Sequence, residues 1–216
     1  RRARWRCGIA RAALAAVFLA LPLGFAGRAE PPLLTGPPKG ADRPVGTLAV
    51  ASPWSRPGEV QLRWTGRIGA PMAEHIERSV AAFAPTRRRF VLILDSGGGS
   101  VAEGEKVIAL LQTLRRTHRV DTVVERGARC GSMCVPIYLQ GQTRYGARAS
   151  TWLFHEVTRR PIEGGKAKLV GGGYRRLIEK YWIPAGVSRE WIERTVPLSS
   201  GFDYWQTGQD LIAERA

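Results

Sequence analysis

Three short segments combine residue types that can activate a serine. The first, Asp95-Ser96-Gly97-Gly98-Gly99-Ser100, follows the apolar run 90–94 and leads into a helical pattern. Glycine N–H groups at a strand-to-helix passage are unobstructed and lie beside a positive helix end, where they can hold a phosphate or an oxyanion. Neither the phosphate-loop spacing G-x-x-x-x-G-K-[ST] nor the dinucleotide fingerprint G-x-G-x-x-G is present. The second segment, residues 127–136 (GARCGSMCVP), sets Ser132 in a turn of small residues before the apolar stretch 135–139. Such a turn can present a hydroxyl at a sheet edge beside the next backbone N–H, although capping is its commoner use. The third, residues 151–155 (TWLFH), is an apolar strand ending in His155. His118 in a basic loop and His75 on a helix flank read as packing or surface residues.

The elements that must position these groups follow from periodicity. Residues 46–53 suggest an edge strand, and 60–68 alternate apolar and polar side chains as a half-buried strand does. Pro71 can open a helix that carries Met72, Ile76, Val80 and Phe83 on one face. The continuous run 90–94 (FVLIL) reads as a strand buried on both sides. A helix follows to about Leu114, and 120–124 is the next strand. This alternation predicts an α/β fold with a largely parallel sheet. Right-handed crossovers then line up the loops at the C-terminal strand ends, so the glycine loop and the Ser132 turn should be neighbours.

Composition bounds the rest. The chain has 216 residues, 44% of them hydrophobic, and a formal net charge of +15. Five arginines (Arg1, Arg2, Arg4, Arg6, Arg11) and no acid before Glu30 precede or flank the apolar run 12–26. That pattern predicts a signal peptide over 1–26, hence an exported, periplasmic or extracellular protein. An uncleaved anchor is the alternative, disfavoured by Pro22 and by a run shorter than the roughly 20 residues a span needs. Cleavage would remove five arginines and lower the charge from +15 to +10. The remaining arginine pairs, such as Arg87-Arg88-Arg89 and Arg115-Arg116, are scattered, with no zinc-finger spacing or RNA-binding aromatics. They read as solvated surface and not as a nucleic-acid site, while admitting weak attraction to an anionic membrane. Residues 27–45 are a Pro/Gly-rich linker, leaving 46–216 as the folded domain.

Taken together, DSGGGSV, GARCGSMC and the strand ending in His155 resemble the proteolytic subunit of Clp protease (ClpP) and its relatives in the ClpP/crotonase superfamily. The similarity runs from about Val60 to Ala213, with the motifs in the family's order and 23 residues from Ser132 to His155. It is greatest to the secreted, ATPase-independent branch. The resemblance implies a spiral of repeated β-β-α units around a largely parallel sheet. It also implies a serine peptidase with Ser132 as nucleophile, His155 as base and the backbone amides of Gly99 (or Gly98) and Met133 as oxyanion hole. Asp203, 48 residues after His155 and ahead of an aromatic segment, would be the third catalytic residue; an Asp there is also an ordinary helix cap.

The same resemblance implies peptide or unfolded-protein substrates, a homo-oligomer, no metal and no organic cofactor, while the expected signal peptide and linker, standing where the family has its axial N-terminal loops, argue against an ATPase partner. Residues 166–173 occupy the place of the family's assembly helix, with glycines that suggest a shortened one. Cys130 and Cys134 depart from the small residues usual around the nucleophile. Four residues apart in an exported chain, they are candidates for a disulfide that pins the turn. Three alternatives stay open: a crotonase-like acyl-CoA enzyme, a lysine-based peptidase using Lys166 or Lys168, and an inactive relative that binds peptides or acts as a scaffold.

Overall fold

The computed structural model describes residues 44–159 and 168–216. The expected signal segment, the linker up to residue 43 and the start of the 166–173 segment lie outside them. The chain begins with the antiparallel pair β1 (Thr47–Ala51) and β2 (Glu59–Thr65), then α1 (Met72–Phe83), β3 (Arg89–Asp95), α2 (Val101–Leu114) and β4 (Arg119–Val124). Next come β5 (Arg129–Gly131), α3 (Cys134–Tyr138), β6 (Thr143–Gly146), β7 (Thr151–Phe154) and the short pair β8 (Thr158–Arg159) and β9 (Lys168–Leu169). The last part holds α4 (Gly173–Leu177), a π-helical turn (Ile178–Trp182), α5 (Arg189–Leu198), β10 (Tyr204–Thr207) and α6 (Gly208–Ala213).

The expected α/β architecture is present. One sheet has the order β1-β2-β3-β4-β6, with every pair after the first parallel; a second has the order β10-β7-β5. Alternation along β2 sends Val60, Leu62 and Trp64 into the core. Phe90, Leu92 and Leu94 of β3 join them there, along with Met72, Ile76 and Val80 of α1 and Val107, Ile108 and Leu111 of α2. These helix positions recur every three or four residues, which places them on one buried stripe.

The other face of the sheet is polar where the parallel strands begin. Arg89 bridges Glu59 (2.9 Å) and Asp121 (2.8 Å), and Arg119 reaches the same Asp121 oxygen (3.0 Å), tying three strands together. In the second sheet Phe154 stands edge-on to Trp191 (5.1 Å) and Trp182 (5.6 Å). This aromatic packing anchors the end of β7, the residue before His155.

Candidate active site

Four chain segments lie side by side where β3, β5 and β7 end and β10 begins. β3 ends in the glycine loop and reaches β5 through a parallel bridge between Ser96 and Cys130. Ser96 N–H donates to Arg129 O (2.8 Å), and Gly131 N–H donates back to Ser96 O (2.9 Å). β5 pairs in parallel with β7, Gly131 opposite Leu153, and Ser132 N–H donates to Leu153 O at 2.8 Å. β7 pairs antiparallel with β10, ending at Phe154 opposite Tyr204. His155 and Asp203 are the residues that adjoin this last pair on the two segments. Glycine loop, Ser132, His155 and Asp203 therefore follow one another across adjacent backbones. The expected proximity of the glycine loop and the serine turn is realised through β5, a strand too short to show in the sequence.

The two glycines differ in what their amides can do. Gly98 N–H donates to the buried Ser96 hydroxyl at 3.1 Å, so it is committed within the loop. Gly99 forms a parallel bridge with Ile68, in which Gly98 O accepts from Ile68 N–H and Ser100 N–H donates to Ile68 O, both at 2.9 Å. In such a bridge the central residue's own N–H points away from its partner strand. Gly99 N–H, like Met133 N–H, has no hydrogen-bond partner among the described residues. Of the two glycines expected as oxyanion donors, only Gly99 keeps its amide free. Gly98 serves by being small: a Cβ there would stand 2.6 Å from Ser132 Cβ and 3.2 Å from Met133 N.

Ser132 has φ 51°, a left-handed conformation that non-glycine residues seldom adopt. The turn holds it there from both sides. Cys130, the middle residue of β5, is disulfide-bonded to Cys134, the first residue of α3, with a Cα separation of 5.2 Å. Both cysteines are fully buried. The bracketing disulfide thus spans a strand, a turn and a helix start, not four helical residues. The Met133 side chain is buried over α2, where Gly104 makes room; a Cβ at Gly104 would meet Met133 Cγ at 2.4 Å. Nothing local in the sequence marks Gly104 for this part.

His155 is half-buried, and its ring makes no hydrogen bond among the described residues; Ser132 Oγ likewise has none. The β5–β7 pairing sets their two segments side by side, and catalytic hydrogen bonds often tighten only when substrate is bound. Asp203 is exposed and precedes β10. The helix-cap alternative for Asp203 is removed, because Thr207 caps α6 in a reciprocal capping box with Asp210.

A cleft of about 720 Å³ opens beside Gly99 and Ser100, walled by Val101, Val157, Val170 and Leu177. Glu105 on its wall accepts from Lys180 Nζ (2.8 Å) and Tyr181 Oη (3.0 Å). The Lys180 hydrogen bond holds the Glu105 carboxyl below its ordinary value, and the Glu105 carboxylate raises the Lys180 ammonium in turn. Lys180 therefore stays charged and is a poor general base. Lys168 lies on exposed β9, and Lys166 falls outside the described residues. Among the described residues no cluster of His, Cys, Asp or Glu could hold a metal ion.

Among solved structures, the fold is similar to that of ClpP1 from Listeria monocytogenes, at TM-score 0.53 and 17% identity over 70% of this chain and 84% of that one. A point mutant of the same Listeria protein matches equally, at TM-score 0.53 and 16% identity, with the same coverage. At such identity the likeness is one of fold. No protein-family model and no curated protein matches the chain's sequence.

Proposed function

We propose that this chain is an exported serine peptidase that acts through an acyl-enzyme on Ser132. The observation that carries the reading is the row of neighbouring segments in which the glycine loop, Ser132, His155 and Asp203 follow one another. In the proposed reaction His155 takes the Ser132 proton as Oγ attacks the substrate carbonyl. The oxyanion formed accepts from Gly99 and Met133 N–H, where fixed dipoles stabilise it without reorganisation. His155 then gives its proton to the leaving amine, and water releases the acyl group by the same steps reversed. Asp203 would orient His155 and stabilise the imidazolium. The cleft beside Gly99, with valine and leucine walls and the charged Glu105, Arg176 and Lys180 at its edge, suits an extended peptide or unfolded segment. The buried disulfide supports an oxidising compartment, and with it independence from an ATPase. A homo-oligomer is part of the same proposal, resting on the family resemblance.

A second reading, an inactive peptide-binding relative, is favoured by one observation: Ser132 and His155 do not hydrogen-bond. Labelling with a fluorophosphonate probe separates the two. Covalent labelling of the wild-type chain that disappears in Ser132→Ala and falls at least 100-fold in rate in His155→Ala is expected. Absence of labelling in folded, oxidised protein would assign the binding role.

A further inference from the structure

Two of the arginine groups scattered in the sequence, 87–89 and 115–116 with Arg119, come together at the pole opposite the candidate site. The turn between β1 and β2, the loop before β3 and the loop before β4 all sit where the parallel strands begin. Backbone hydrogen bonds join them: Arg88 N–H donates to Gly58 O (3.1 Å) and Arg119 N–H to Arg88 O (2.9 Å). The two acids there, Glu59 and Asp121, are buried and already held by Arg56, Arg89 and Arg119. Arg87, Arg88, Arg115 and Arg116 have no acidic partner among the described residues, where the buried Arg87 Nε also lacks a hydrogen-bond partner. The C-terminal dipoles of α1 and α2 also end at this pole, but each offsets only about half a charge. Beside the arginines, the turn Pro53-Trp54-Ser55-Arg56-Pro57 presents Trp54 with 95% of its surface exposed.

We infer that this pole is a docking surface for an anionic lipid bilayer, with Trp54 entering the headgroup layer and the four unpaired guanidiniums bound to lipid phosphates. An indole places its apolar body at the hydrocarbon boundary and its N–H in the polar layer, and a cluster of unpaired arginines supplies attraction that falls off within a Debye length. A single projecting indole beside a compact basic patch suits a flat anionic surface better than a nucleic acid, which would call for a basic groove with several stacking aromatics. The geometry also has a consequence for orientation. β3 runs its seven residues from this pole to the glycine loop, about 20 Å at the usual strand rise, so the cleft would face away from the membrane.

The test is co-sedimentation of the full chain at 0.1 M salt with vesicles of phosphatidylcholine and phosphatidylglycerol (3:1), and with phosphatidylcholine alone. Pairwise comparison within the same chain cancels any contribution of the N-terminal segment. Arg115→Gln with Arg116→Gln should weaken binding to the anionic vesicles about 25-fold, at roughly fivefold per arginine. Arg175→Gln with Arg189→Gln, an equal loss of charge on α4 and α5, should weaken it less than threefold. Trp54→Ser, which removes a side chain that packs on almost nothing, should weaken it about tenfold without altering the melting temperature. Equal losses for the two arginine pairs, or no effect of Trp54→Ser, would overturn the inference. So would displacement from the vesicles by a 20-base-pair duplex through the same residues, which would assign the pole to nucleic acid.

Discussion

Ser132 and Gly98 illustrate how single positions trade stability for a reactive geometry. A left-handed φ at a residue with a Cβ costs about 1–2 kcal/mol. Glycine in its place would relieve that, less about 0.5–1 kcal/mol of added backbone entropy in the unfolded chain. Ser132→Gly should therefore raise the melting temperature by roughly 1–4 °C while abolishing probe labelling, whereas Ser132→Ala abolishes labelling with no such gain. A melting temperature that falls in Ser132→Gly would show that the strained turn carries no cost. At Gly98 (φ 101°) an added methyl collides with Ser132 Cβ, but at Gly97 it meets nothing within 4 Å. Gly98→Ala should lose both labelling and stability, and Gly97→Ala neither; differential scanning and labelling rates read the contrast directly. If Asp203 orients His155, Asp203→Asn should lower kcat/KM by about 10²–10⁴-fold with the melting temperature unchanged.

Between β5 and α3 the decisive device is the disulfide. Chain-entropy reasoning for a loop this short gives about 2 kcal/mol. Cys130→Ala with Cys134→Ala should accordingly lower the melting temperature by roughly 4–8 °C. Because the bridge also limits how Ser132 can relax, labelling should slow more than the loss of folded protein alone explains. Labelling that tracks only the folded fraction would reduce the bridge to a stabilising role. β7 is held differently. Its end is fixed by Phe154 among Trp182 and Trp191, so His155 rides on packing, while Ser132 rides on a covalent link and a hydrogen bond to Leu153 O.

At the scale of the molecule, the buried ion network at the start of the strands links stability to pH. Burial alone would push the Asp121 carboxyl up, but Arg119, Arg89 and the N–H of Thr143 outweigh it and hold the group below its ordinary value of 3.8. A carboxyl whose folded pKa is depressed contributes stability that is fully present above its unfolded pKa and is lost as pH falls through the folded one. Denaturant midpoints should therefore drop below about pH 4 in the wild-type chain. Asp121→Asn should be less stable at pH 7, since it leaves Arg119 without its carboxylate and Arg89 with Glu59 alone, and flatter in its acid limb. An acid limb identical to wild type would locate the sensitivity elsewhere. The described residues thus carry two distinct ends, a basic pole braced by this network and a candidate-site edge braced by the disulfide.

The sequence alone was enough for the longer elements. Seven-residue strands and helices of twelve or more residues repeat their burial pattern often enough to be recognised, as in 90–94 and in Val107, Ile108 and Leu111. Ser132, His155 and the cysteine pair stood out by type and position, Asp203 only through the family resemblance, and the cysteine pair is bonded. Only the tertiary structure decided what stands next to what. β5, β6 and β10 have three or four residues each, too few for a period to show, yet β5 and β10 set the order of the site. That the segments carrying His155 and Asp203 are neighbours depends on pairing between strands far apart in the chain. That Gly99 and not Gly98 keeps a free amide depends on where the Ser96 hydroxyl falls. The arginine pairs read as scattered for the same reason: periodicity records which side of an element is buried, while neighbourhood across a sheet is set by long-range pairing that no local window contains.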